Sequence, residues 1–421
     1  MKLLFLSSYF KPDKISSAHF GEDLRQALAA RGHTMELYAP TPTRGVSDEV
    51  RQEYKKNRKD EYELDGKLHI HRFSLFREKR NPLLRALRYG VLEVQLLWFG
   101  LRAKNIDLLP MSSTPPINGL MATLLKKWKK IPYVYIVQDM FPESLVSTGM
   151  TKRGSLLWKI GNWVSNVTYR NAAHIMVISD SMKQTLIEKG IPADKITVSY
   201  NWIDIEKTIP VPREENPLFE EFGLDREKFY LTYAGNLGNS QNAGLLVDCA
   251  EKLKDYKAIQ FVIFGSGTEK GKLEKRITES GLTNIQMLPL QPMEKVSQVY
   301  SLGDASFVIC KKGVGEGAFP SKAVSIMATG TPILASFDMD SDLCRIVEEK
   351  RIGLCADAGD VDGAVAAILQ LYENRTLCKT MGENARELAC SRFSKETGTA
   401  LRIDIYEKYE KLAQKSKTHA L

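Results

Sequence analysis

The residues best placed to do chemistry lie in Lys311-Lys312-Gly313-Val314-Gly315-Glu316-Gly317-Ala318-Phe319-Pro320-Ser321-Lys322. An apolar run ends there in a glycine-rich loop with a carboxylate and several lysines, and a helix is predicted to begin near Pro320. Proline suits a first helical turn, and the free N–H groups there, with Ser321 and Lys322, form a cradle for an anion. Taken alone, the lysines read as well as solvated charge. A second glycine turn, Gly235-Asn236-Leu237-Gly238 running on to Asn242, joins a predicted strand to a helix. Such a turn lets the backbone approach phosphate, or is simply a turn. A third, Phe264-Gly265-Ser266-Gly267, lacks the last glycine of a dinucleotide fingerprint, since Lys270 stands in its place. No acidic residue follows about 20 positions later at a strand end, which disfavours a nicotinamide enzyme.

Those turns need strands to carry them. In the first half, apolar runs predict strands over Lys2–Ser8, Thr34–Ala39, Leu68–Phe73, Ile106–Met111, Tyr133–Asp139, His174–Ser179 and Ile196–Tyr200. In the second half they fall at Tyr230–Ala234, Ile259–Phe264, Ile285–Leu288, Ala305–Cys310, Pro332–Ser336 and Ile352–Ala356. The runs are continuous rather than alternating, as in strands covered on both faces. Helical patterns such as Ala18–Ala30 and Ile117–Lys129 separate several of them. The fold class expected is α/β, with two doubly wound Rossmann-like lobes facing a cleft. The expected divisions are a first domain at 1–205, a polar, proline-bearing linker at 206–228, a second domain at 229–393, and a last helix at 394–421 packing back on the first.

Charge is unevenly spread. Residues 1–200 carry 31 Lys and Arg against 19 Asp and Glu, whereas the rest carry 28 against 32, so the first half should face something anionic. The basic, apolar-rich helix pattern over Asn81–Ala103, with Arg85, Arg88 and Trp98, suits either burial or an acidic bilayer surface. The cluster Lys126-Lys127-Trp128-Lys129-Lys130, with Trp158 and Trp163 beyond it, favours membrane contact. No uncharged run reaches the roughly 18 apolar residues of a span, and Met1–Ser7 reads as a first strand rather than an export signal. No groove-reading motif accompanies the charge, so nucleic acid is not an expected partner. The six cysteines form no CxxC pair and read as free thiols of a reducing cytosol. His33 reads as a turn residue, and His69, His71 and His174 as core or surface positions in strands.

Taken in order, several segments resemble glycosyltransferase family 4, in its WbuB-like branch of bacterial surface polysaccharide transferases. They are Gly235-Asn236-Leu237-Gly238, Gly265-Ser266-Gly267, the helix from Pro320-Ser321-Lys322 to Ser325-Ile326-Met327-Ala328, and Pro332-Ile333-Leu334-Ala335. The first-half signatures Asp139-Met140-Phe141-Pro142-Glu143-Ser144 and Asn201-Trp202-Ile203-Asp204 are similar to that branch too. The resemblance spans nearly the whole chain. It implies a GT-B fold, retention at the anomeric carbon, no required metal or other cofactor, and a donor held mainly by the second lobe.

Carried over residue by residue, the catalytic candidates are Glu316, Asp139 and Lys322. Those for the nucleotide sugar are Gly21, Gly235, Asn236, Gly238, Asn242, Gly265, Gly267, Lys311, Gly317, Pro320, Ser321, Lys322 and Ser325. Ser17, His19, Asp139 and Glu143 are candidates for the acceptor, although Asp139 also suits a helix cap. Many members have two glutamates eight apart. Here Ser325 holds the second place and Glu316 is offset by one from the first, while Asn236 and Asn242 stand where an arginine and a lysine are common. Lys322 is left to neutralise the diphosphate. The run Asp338-Met339-Asp340-Ser341-Asp342 has the DxD form that binds metal in the other major transferase fold, but it opens a helix, where acidic residues favour the dipole.

The function implied is transfer of a sugar, of the N-acetylated hexosamine or deoxyhexosamine class, from a UDP-sugar to a polyprenyl-diphosphate-linked acceptor. That places the protein in the cytoplasm, at the anionic inner face of the membrane, making capsule, O-antigen or exopolysaccharide. A nucleotide-sugar 2-epimerase and a non-catalytic nucleotide or nucleic-acid binder are the alternatives.

Overall fold

Residues that alternate between two apolar environments make strands buried on both faces, and the second half of this chain is built that way. The computed structural model describes residues 1–15, 18–57, 59–77, 82–147, 150–315 and 319–418, leaving out the side chains of 82, 83, 147 and 411–418. Two compact units result. Met1–Ile178, Met182–Ser199 and Thr399–Leu421 form one, and Ser179–Ser181 with Tyr200–Gly398 the other.

In the first unit the strands are β1 (Lys2–Leu6), β2 (Thr34–Pro40), β3 (Asp60–Glu63), β4 (Leu68–Phe73), β5 (Leu109–Ser112), β6 (Tyr133–Val137), β7 (His174–Val177) and β8 (Ile196–Val198). They pair as β1-β2-β4-β3 and β5-β6-β7-β8, and a parallel bridge between Leu3 and Leu108 joins the two sets. The order therefore reverses between β1 and β5. All pairings are parallel except β3 with β4. The sequence pattern does not reveal β3, because Asp60-Glu61-Tyr62-Glu63 is an edge strand with no apolar run of its own. The helices Pro82–Arg102, Asn118–Lys129 and Leu156–Asn171 lie side by side over this sheet.

The second unit holds β9 (Phe229–Asn236), β10 (Ile259–Ser266), β11 (Ile285–Leu288), β12 (Ala305–Ile309), β13 (Ile333–Phe337) and β14 (Gly353–Asp357). Their order, β11-β10-β9-β12-β13-β14, is fully parallel and reverses between β9 and β12. Phe229, Leu231, Tyr233, Phe261 and Ile263 fill one core, while Tyr230, Val262 and Phe264 fill the other with Leu218, Phe219 and Leu302. Burial of side chains of this size contributes roughly 1.5–3 kcal/mol each.

Two boundaries differ from expectation. The first unit's N-terminal stretch ends at Ser199 rather than 205, and the segment expected as a linker is folded. Within it, Arg213–Glu215 and Leu218–Glu221 form helical turns, and Leu218, Phe219 and Leu224 are buried in the second unit's core. Their charged neighbours hide this in the sequence.

Candidate functional site

Ligands in doubly wound sheets sit beyond the C-terminal ends of the strands where the order reverses. In the second unit that place lies between β9 and β12. The loops leaving these strands carry residues 237–243 and 310–315. Gly235 and Gly265 pair directly, as do Asn236 and Ser266, so the two glycine turns leave neighbouring strands side by side. Leu237 is fully buried beneath them, and its carbonyl accepts from the Glu269 N–H at 2.9 Å. Gly267 has φ +154, and a Cβ there would lie 2.5 Å from the Leu237 carbonyl oxygen, so only glycine fits.

Lys322 lies in the first turn of the helix Ser321–Ala328, which no side chain caps. Its ammonium sits 4.1 Å from the Tyr233 ring centroid and 3.2 Å from where a Gly235 Cβ would be. Burial pushes its pKa down to about 8. The described residues give it no carboxylate partner within 4 Å. A positive charge, a bare helix N-terminus and a glycine at close approach therefore converge on one point. Such an arrangement is suited to an anion.

The other second-unit candidates fall around it. Ser321 is exposed, while Pro320 and Ser325 are partly buried. Asn242 adopts a left-handed conformation at φ +53, and Asn236 donates to Gln241 at 3.3 Å across Gly238. Lys311 is exposed and pairs with Asn239, and its N–H donates to the Ser240 carbonyl at 2.9 Å, so the two loops are tied together. Glu316 and Gly317 lie outside the described residues.

The aspartate run does not gather into a metal site. Asp338 is buried, and its carboxylate accepts from the N–H of Gly313 at 2.8 Å and of Gly315 at 2.8 Å, pinning the glycine-rich loop. Asp340 is exposed. Asp342 accepts from the Ser181 N–H at 2.8 Å and from Arg345 at 2.9 Å, while Ser341 caps the helix Asp342–Lys350.

In the first unit, Gly21 lies in the opening turns of the helix Ala18–Ala30 with exposed His19, and Ser17 is outside the described residues. Asp139 is exposed in the turn after β6. Glu143 opens the next short helix and binds Lys189 at 2.6 Å. The sequence gives little sign of the cluster packed on the loop after β1. There Asp13 accepts from the N–H groups of Thr43 and Arg44 at 2.6 Å each, the Tyr9 and Tyr89 hydroxyls meet at 2.9 Å, and Arg44 covers Tyr9.

Of the surface candidates, Arg85, Trp98 and Lys127 are exposed, and Trp98 lies under the Arg102 guanidinium at 4.1 Å. Lys126 is partly buried and donates to the Asn171 carbonyl at 2.7 Å, at the end of the helix Leu156–Asn171. Arg88 corrects the expectation of membrane contact, because it is fully buried. It lies four and eight residues before buried Leu92 and Leu96, hence on the same inward face. Its guanidinium donates to the Phe76 carbonyl at 3.1 Å and to Thr43 Oγ1 at 3.2 Å.

Residues 20–207 match the family model Glycosyltransferase Family 4, and residues 214–388 match that of Glycosyl transferases group 1. The colanic acid biosynthesis glycosyl transferase WcaI of Escherichia coli K12 is 26% identical over 91% of this chain and 96% of its own. The glycosyltransferase WbjE of Pseudomonas aeruginosa is 26% identical over 60% of this chain and 62% of its own. Among solved structures, HepE of Anabaena in complex with UDP superposes with a TM-score of 0.71 at 17% identity, over 97% of this chain and all of that one (100%). Two Rossmann-like units, matched by two glycosyltransferase family models, define a glycosyltransferase of the GT-B fold. More narrowly, the chain belongs to glycosyltransferase family 4.

Proposed function

We propose that this chain moves a sugar from a UDP-sugar to a polyprenyl-diphosphate-linked acceptor, with retention and without a metal, in the synthesis of a bacterial surface polysaccharide. The observation that carries this reading is the Lys322 ammonium, set beside the Gly235 backbone at an uncapped helix start. In transfer, the bond between the anomeric carbon and a diphosphate oxygen breaks, and a bond from an acceptor hydroxyl oxygen forms. The proton of that hydroxyl passes to the departing diphosphate, whose growing charge Lys322 and the helix N-terminus would stabilise. The relatives' names, colanic acid biosynthesis among them, and the UDP held by HepE support the pathway and the nucleotide. The capacity of Asp338 to hold the glycine-rich loop through N–H groups supports independence from a metal.

The acceptor reading rests on three helices of the first unit. Pro82–Arg102, Asn118–Lys129 and Leu156–Asn171 contain a single carboxylate, Glu93, and their outer faces expose Leu87, Val94, Trp98, Trp128, Ile160 and Trp163.

The test is transfer from UDP-N-acetylhexosamines to a polyprenyl-diphosphate sugar in the presence of EDTA, with product linkage read by NMR. An α-linked product from an α-linked donor is expected. Turnover that disappears with EDTA while the chain stays folded, or nucleotide-sugar epimerisation without acceptor, would overturn the proposal.

A further inference from the structure

His69 and His71 stand two apart on β4, so both project from one face of the sheet. The strands on either side complete two rows across that face. One row is Glu36, His69 and Tyr62, and the other is Tyr38, His71 and Asp60. Tyr62 stacks on His69 with centroids 4.1 Å apart, and Tyr38 stacks on His71 at 4.6 Å. The two imidazoles are themselves 3.8 Å apart. Each ring is thus held by a tyrosine and turned toward the other.

The Asp60 carboxylate meets both rings. Its Oδ1 lies 2.6 Å from His71 Nδ1 and 3.5 Å from His69 Nε2. One donor atom from each of the three residues falls within 4.8 Å of the others. Ligands about 2.0–2.2 Å from a tetrahedral ion lie roughly 3.4 Å from one another. The aspartate to His69 separation already matches, and the contact to His71 would lengthen as an ion replaced the bridging proton. The second nitrogen of His71, Nε2, is buried and faces Glu36 Oε1 at 3.5 Å. A carboxylate behind a ligating imidazole fixes its tautomer and orientation, an arrangement common around bound metals. Glu36 is steadied in turn by Lys2 at 2.8 Å and by the Tyr38 hydroxyl at 2.9 Å.

We propose that Asp60, His69 and His71 bind one divalent ion of the zinc class on the β3–β4 edge of the first unit, oriented by Glu36 and completed by water. Two imidazoles and a carboxylate favour zinc and its neighbours over calcium or magnesium, which prefer oxygen. The site lies on the flank of the first unit's sheet, whereas the glycine turns belong to the second unit. Its role is to clip the polar edge strand β3 to β4, because the ligands come from both. It therefore stands whether or not the donor reading holds.

The experiment uses the full, untagged chain after chelator treatment, with Zn²⁺ in calorimetry and Co²⁺ in electronic absorption. One ion per chain is expected, with the intense visible bands of tetrahedral cobalt and a raised melting temperature on adding zinc. Asp60→Asn and His69→Gln should each weaken binding at least about tenfold, and Glu36→Gln by roughly 10–100-fold through the orientation of His71. Should a variant fold poorly, X-ray absorption on the zinc-loaded native chain still decides, since it counts imidazole ligands. Two imidazoles support the site. No binding, no imidazole at the ion, or equal affinity in folded His69→Gln would overturn it.

Discussion

A lysine beside the Gly235 backbone, over the Tyr233 ring and with no carboxylate among the described residues holds its proton less firmly than an exposed lysine, and burial sets its pKa at about 8. A diphosphate would bind the ammonium form, so UDP affinity should be full below pH 8 and fall by about tenfold per unit above it. For folding alone the sign is opposite. Because the unfolded lysine keeps its proton to about 10.4, the unfolded chain binds more protons between the two values, and this group's contribution to stability rises with pH there. Lys322→Ala should therefore leave the fold at least as stable and weaken UDP binding by about 1.5–3 kcal/mol, roughly ten- to a hundredfold. Calorimetric titration at pH 7 and pH 9 separates these effects. A pH-independent affinity that survives the alanine would remove Lys322 from the site. Its place could be anticipated from the sequence, because a lysine just after a proline at a helix start has few other places to point. Arg88 could not, because a cation in an apolar helix reads alike whether it faces lipid or a buried carbonyl. Its i+4 relation to Leu92 and Leu96 decides the face only once the sheet beneath is known.

At the scale of elements, each glycine turn is an extension of its strand. The pairing of Gly235 with Gly265 carries β9 and β10 two residues past their apolar runs, to Asn236 and Ser266. Hydrophobic pattern marks where a strand is buried, and hydrogen bonding marks where it ends. That difference accounts for most of the shifted boundaries. It also hides β3, whose acidic residues give no periodic signal. Gly267→Ala should cost about 1–3 kcal/mol, since its Cβ meets backbone that cannot step aside. Gly271→Ala, with nothing within 4 Å, should cost nothing. Urea melts compare the two, and equal midpoints would mean that the turn can relax. Asp338 makes a separate case. Its sequence pattern suggests metal, but its oxygens are taken by Gly313 and Gly315. Asp338→Ala removes a buried, charged acceptor from two N–H groups and should lower stability by about 1.5–3 kcal/mol. UDP should bind it more weakly, with or without EDTA. A variant that keeps native affinity would show that the loop needs no such anchor.

For the molecule as a whole, the question is what the basic half faces. Among the described residues no helix is long and apolar enough to cross a membrane. The first unit instead presents the outer sides of three adjacent helices. Leu84, Leu87, Val94 and Trp98 follow one another at helical spacing, Trp128 closes the second helix, and Leu156, Leu157, Ile160 and Trp163 line the third. Water is a poor partner for such a surface, and patches this rich in large apolar groups mark interaction sites. The charges around it bear on the proposed membrane partner. Arg85, Lys127, Lys129 and Lys159 are exposed around the apolar residues. Glu93, the only carboxylate of these helices, is buried, and burial pushes its pKa up to about 7. An anionic bilayer meets both demands, since tryptophan and leucine enter the interface while each nearby lysine or arginine contributes about 1 kcal/mol, screened over a Debye length of roughly 8 Å. Co-sedimentation with phosphatidylglycerol vesicles should accordingly exceed that with phosphatidylcholine and weaken as salt is raised. Arg85→Glu together with Lys127→Glu should reduce the acidic-vesicle fraction several-fold, and Trp163→Ser should reduce binding even at low salt. These residues belong to the first unit and the glycine turns and Lys322 to the second, so UDP affinity should stay native. Arg88→Glu, by contrast, should unfold the first unit rather than detach it, because that charge would lie buried against Thr43 and the Phe76 carbonyl. Equal binding to both vesicle types, or an Arg88→Glu protein that folds and merely loses membrane affinity, would return the basic face to another partner.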